Sequence, residues 1–290
     1  MALIFEMFSH TFIIRALIVG VLVSLCAALL GVNLVLKRYA MIGTGLSHVG
    51  FAAMSIAGVL DIILSRLGLT SVILSSVLAF SELTIVLPVV VGAAFLLLRV
   101  SESSKINGDS AVALISTSSL AIGVIVVSMT TGLTLHICNV MFGSIFAMTQ
   151  ATVRLSVVLS ITVITLFVLF YKQLFAVTYD ETFARATGTK VGIYKSLLAI
   201  LTAVTVVLGM QMMGALLIAS LTLFPALTAM RICKRFLSVV IASAVIGVAC
   251  FFFGMVFSFQ FDLPPGASVV AVNLVLFSIF SGIAFIKGGR

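Results

Sequence analysis

Nine long apolar stretches, with polar breaks between them, run through the chain at about 12–36, 47–65, 83–98, 111–130, 154–171, 193–210, 213–230, 236–258 and 267–286. A half-buried strand would place a polar residue at every second position, and these stretches do not alternate. Apolar runs of about 20 residues match the hydrocarbon thickness of a bilayer when helical, because a helix satisfies its own backbone polar groups where no water can. A porin-like barrel fails the same test, since its strands alternate apolar and polar residues. The pattern predicts an all-α polytopic membrane protein with about eight or nine transmembrane helices. A further apolar piece at 67–81, between Arg66 and Glu82, is about 15 residues long, short for a span. It reads as a re-entrant piece, an interfacial helix or an extension of the next span.

Composition strengthens this picture. Sixty-two per cent of the 290 residues are hydrophobic and 8 % are charged, against about 25 % charged in soluble domains. No linker or low-complexity tract interrupts the pattern, so one membrane domain is expected over 1–290. The first apolar stretch lacks a small-residue cleavage site and is expected to be a retained span. The net charge of +8 has no basic run with interleaved aromatics to serve nucleic acid. It fits the excess of Lys and Arg in cytoplasmic loops instead. With nine spans and Lys37 and Arg38 inside, 13 of the 16 basic residues fall on the inner side, leaving Arg15, Arg66 and Arg154 outside. The expected topology places the N-terminus outside and the C-terminus in the cytoplasm.

Two absences narrow the function. No G-x-x-x-x-G-K-[ST] phosphate loop is present, and the span interiors hold almost no Asp or Glu. Ion-coupled carriers need buried ionisable groups, so transport energy is expected from outside the chain. Intramembrane enzymes need paired Asp, a Ser/His pair or HExxH within spans, and none is visible, so no catalytic residue and no resident cofactor are expected. Cys26, Cys138, Cys233 and Cys250 form neither a CxxC pair nor a disulfide framework.

Four polar stretches carry the candidate chemistry. In the first, Lys37 to Gly50, three glycines permit tight turns and Ser47 is placed to cap the second span. Thr44 and His48, four apart, share a helix face, and imidazole suits zinc, iron or copper. A histidine bonded to a backbone carbonyl fits this spacing as well. The second, at about 172–192, holds a T-x-x-E capping box at Thr178 and Glu181. Asp180 and Glu181 suit the positive end of a helix dipole, Glu181 precedes Arg185 by four, and Gly188 is placed to end the helix. A short helix with Phe183 and Ala184 follows, either docked in a partner's groove or resting on the bilayer. The third contains Gly209 to Gly214 and the following span, where Ser220, Thr222 and the mid-span Pro225 suggest a kink that lines a path; a purely structural kink fits too. The fourth pairs His136 with Cys138 at an outer loop, a weak metal-meeting signal or simply a solvated loop.

Together these residues resemble the permease subunit of bacterial zinc/manganese/iron ABC importers. The matching runs are Met-x-Gly-x-Gly-Leu-Ser-His at Met41 to His48 after a basic pair, Asn107-Gly108-Asp109, and Asn139 to Ser144. Asp180 to Gly188, Gly214 to Ser220 and Phe224-Pro225-Ala226 complete the series, in the family's order. The resemblance implies the ABC importer permease fold. It also implies a homodimer on two cytosolic ATPase subunits that hydrolyse ATP, and an extracytoplasmic metal-binding protein that delivers the ion. Under it, Asp180 to Gly188 becomes the coupling helix and Thr44 and His48 the metal passage, with zinc the expected cargo. Family members commonly carry Asp where this chain has Thr44, which disfavours a hard cation such as manganese. An organic metal chelate or a cobalamin-like substrate is the alternative cargo.

Overall fold

A computed structural model describes residues 11–37, 39, 41–66, 81–103, 108–129 and 150–287. Among them the chain forms eleven helices and no strand: α1 Thr11–Leu36, α2 Ile42–Arg66, α3 Ser81–Ser103, α4 Gly108–Ser128, α5 Gln150–Leu169, α6 Tyr171–Tyr179, α7 Glu181–Ala186, α8 Val191–Met213, α9 Ala215–Ile232, α10 Phe236–Phe261 and α11 Pro265–Lys287. All nine apolar stretches are helical. Among the described residues eight are long and apolar enough to span a membrane, and α3 contributes a shorter apolar segment, Val86–Leu97. Residues 67–80, which contain most of the unplaced apolar piece, lie outside the described residues.

α1 is the central post, packing against α5, α8, α9 and α10, while α2 packs against α3, α4, α8 and α9. Helices do not attract one another hydrophobically in lipid, so small residues that let backbones approach must supply the contact. Gly31 of α1 is such a place: a Cβ there would overlap the backbone carbonyl of Thr222 on α9. A Cβ on Gly43 of α2 would lie 2.7 Å from Thr222 Oγ1. Thr222 is therefore wedged between two glycines of two other helices.

Buried hydroxyls are satisfied locally or across this packing. Thr222 Oγ1 donates toward the carbonyls of Ile218 and Ala219, at 3.0 and 2.9 Å. Ser243 Oγ of α10 reaches the carbonyl of Ala28 on α1 at 2.9 Å. Ser47 departs from its expected role. The second span begins at Ile42, five residues earlier than the sequence pattern suggests, so Ser47 sits inside α2 and donates to the Gly43 carbonyl at 2.7 Å. Gly43 and Gly45 are poor helix formers, but here their bareness admits Thr222 and Val112 from neighbouring helices. Cys26 and Cys250 are buried in the bundle as free thiols, in keeping with a role as small hydrophobes.

Candidate functional site

The end of the bundle where α1 finishes and α2 begins, called here the basal end, carries a platform built from α6 and α7. α6 follows α5 after Phe170, buries Leu174 and Val177, and stacks Phe175 on Tyr179 at 5.8 Å between ring centres. The backbone then extends at Asp180 (φ −144°, ψ 103°) and α7 begins. Asp180 is the N-cap, its carboxylate accepting from Phe183 N at 2.9 Å. The expected capping box is thus not formed. Thr178 belongs to the last turn of α6, and its Oγ1 is buried without a hydrogen-bond partner. Glu181 turns sideways instead: Oε1 accepts from Arg185 Nη2 at 2.7 Å and Oε2 from Lys195 Nζ at 2.6 Å. Two cations compete for a carboxylate better than one backbone N–H does.

The electrostatics of Glu181 agree with that geometry. Burial pushes its carboxyl upward, but the hydrogen bond and charge of Lys195, then Lys37 and Arg185, outweigh burial and hold it below the ordinary value. The C-terminal end follows the sequence closely. Gly188 takes φ +81°, a left-handed conformation that favours glycine. Gly188 N bonds the Arg185 carbonyl and Thr189 N the Ala184 carbonyl, both at 3.0 Å. This is the 6→1 and 5→2 pattern of a Schellman end. Ala184 is fully buried against Val177 and Val191, while Phe183 on the opposite side is 62 % exposed and Tyr179 is also exposed. The platform therefore offers two aromatic rings outward and anchors itself inward.

The second candidate region lies on α2. His48 Nδ1 is 2.6 Å from Ser116 Oγ of α4, and Thr44 and His48 share a half-buried face. Along the helix that face continues with Phe51 and Ser55, both buried, while Ile56, Leu60 and Ile63 are exposed on a neighbouring face. His48 is therefore held against α4 at a half-buried position rather than facing outward. With Nδ1 engaged by Ser116, Nε2 is the nitrogen left for an ion. Thr222 approaches this region through Gly43, beside Thr44. Ser220 bonds the Leu217 carbonyl at 2.8 Å, and Ser220 and Pro225 are buried within the helix packing. Among the described residues no three His, Cys, Asp or Glu side chains converge. His136 and Cys138 lie outside the described residues.

Sequence spacing alone does not reach two of these partners. Ser116 is 68 residues from His48, and Lys195 counts in the sequence only as one of many inner basic residues.

Comparison with known proteins places this arrangement in context. Residues 9–284 match the family described as the ABC 3 transport family. The manganese transport system membrane protein MntC of Halalkalibacterium halodurans is 24 % identical over 94 % of this chain and 88 % of its own length. The high-affinity zinc uptake system membrane protein ZnuB of Haemophilus influenzae is 26 % identical over 90 % of this chain and 94 % of its own. Among solved structures, a chain of PsaBC from Streptococcus pneumoniae in complex with Fab superposes with a TM-score of 0.79 at 23 % identity, over 96 % of this chain and 94 % of that one.

Proposed function

The chain belongs to the ABC 3 transport family, and from that premise we propose that it is the permease subunit of an ATP-driven metal-cation importer in a bacterial plasma membrane. The observation that carries the proposal is α7: a six-residue helix, capped at both ends, buried through Ala184 and exposing Phe183. A surface helix this short is not stable by itself, so the chain spends an N-cap, a left-handed glycine and an ion pair on holding it. Presenting a rigid apolar knob to a groove on an ATPase accounts for that expenditure. The basal end is then the cytoplasmic side, which agrees with the distribution of Lys and Arg, with the N-terminus outside and the C-terminus inside.

The cargo path runs along the Thr44–His48 face of α2, between two copies of the chain. A second copy would complete the path opposite this half-buried face, where His48 is held by Ser116. The ion is handed over by an extracytoplasmic binding protein, meets the free imidazole nitrogen of His48, and passes the hydroxyl of Thr44 rather than a carboxylate. A neutral nitrogen donor suits zinc, whereas manganese prefers carboxylate oxygen. Zinc is accordingly the first cargo, and relatives named for zinc and for manganese bracket the choice.

The test is the metal content of cells lacking the chain, together with co-purification of its ATPase. Loss of zinc accumulation, and an ATPase affinity about tenfold weaker for Phe183→Ala, are expected. Unchanged zinc and manganese uptake would favour a metal chelate or cobalamin-like cargo. An ATPase that binds Phe183→Ala as well as wild type would remove α7 from the docking role.

A further inference from the structure

We infer that the Glu181–Lys195 ion pair is a strut that carries displacement of α7 into the base of α8 and toward the end of α1, so that Glu181 and Lys195 are positioning residues rather than contacts for an ATPase. This rests on the importer reading above.

Helical stiffness is broken on both sides of α7. Asp180 is extended before it, and the left-handed Gly188 separates it from α8, which begins at Val191. A push on Phe183 would therefore swing α7 about these two joints unless something crosses them. The apolar link through Ala184, Val177 and Val191, with Tyr194 packed against it, reaches the first turn of α8 but has no directional character. The carboxylate of Glu181 crosses the joint and grips α8 at Lys195, one turn beyond Val191.

Burial decides which arm of Glu181 matters. Arg185 is 68 % exposed and lies on the same helix, so its bond with Glu181 stiffens α7 but connects it to nothing else. Lys195 is 14 % exposed. It lines a small, partly open pocket with Lys37 and Leu34, at the end of α1, and Ile42, at the start of α2. Lys37 also lowers the affinity of Glu181 for its proton, so its charge is felt at the carboxylate. A movement of Glu181 thus acts on a half-buried group where solvent screens less, at the place where the His48 helix begins.

The experiment uses the full complex with its ATPase subunits and compares wild type, Lys195→Met and the charge-swapped Glu181→Lys/Lys195→Glu. Three quantities are read: ATPase retained on the permease, ATP hydrolysed, and metal taken up per ATP. In Lys195→Met, ATPase retention and hydrolysis stay within about twofold while uptake per ATP falls about tenfold, and the swap recovers uptake to within about threefold, the pattern of a pairwise coupling. Unchanged uptake per ATP overturns the strut, as does a parallel loss of ATPase binding that the swap does not restore. A wild-type complex that takes up no metal refutes the importer reading and the strut's transport role with it. Amide exchange of the permease alone is independent of that reading: Lys195→Met speeds exchange over 181–189 by about tenfold, and unaltered exchange there overturns the strut by itself.

Discussion

At the basal platform, helices are joined by charge and caps; at the junction of α1, α2 and α9 they are joined by missing side chains. Glu181 holds Arg185 and Lys195 at 2.7 and 2.6 Å; the exposed pair with Arg185 contributes about 1 kcal/mol or less, while the pair with the mostly buried Lys195 is screened less. Gly31 and Gly43 instead bring two helices against Thr222 with no room for a methyl group between them. The platform can move at its backbone joints, Asp180 and Gly188, with Glu181 linking it to α8, whereas the glycine junction leaves no room to move. The contrast assigns motion to the platform and makes α1, α2 and α9 one body, with His48 riding on it. In an importer this is the needed division, since a displacement at the ATPase must reach the path without being absorbed on the way.

The comparison breaks most visibly at the junction. Gly31→Leu drives a side chain into the Thr222 carbonyl, a backbone group that cannot turn aside. The expected cost exceeds about 4 kcal/mol, read as loss of monodisperse protein in detergent and of its thermal transition. Gly192→Ala, in the first turn of α8 where a Cβ meets nothing within 4 Å, is the control and leaves the transition unchanged or slightly raised. A Gly31→Leu variant as stable as wild type would show that the three helices are not locked together.

At the platform the expected effect is smaller and depends on pH. Glu181 holds its proton less tightly when folded than its ordinary value of 4.5 implies. Its stabilisation is therefore complete above about pH 4.5 and is lost as pH falls through the depressed folded value. Protection from amide exchange over 181–189, relative to the unstructured rate at the same pH, should fall in that acid window while protection within α1 and α9 is retained. An equal loss of protection in both regions would erase the distinction between them.

The same division explains how much was legible in the sequence. The nine apolar stretches are all helices, because in lipid the backbone has no alternative. The end of α7 at Gly188 was legible too, since a left-handed residue has a local signature. The start of α7 was not: the pattern points to Thr178 with Glu181, and the structure caps with Asp180 because Lys195, fourteen residues on, claims the glutamate. The start of α2 was misplaced for a similar reason, as Gly43 and Gly45 read as loop until Thr222 and Val112 are seen packed against them. Ser116 beside His48 has no sequence signal at all. What local rules govern could be read along the chain. What distant partners decide could not.

The most direct measurement is metal uptake into sealed vesicles by the purified chain alone, and then by the chain with its ATPase subunits, binding protein and ATP. The account predicts accumulation against a gradient only in the complete system with nucleotide, because in the proposed importer the energy enters from the ATPase through α7. Uphill accumulation by the chain alone, without ATP or companion subunits, would contradict it.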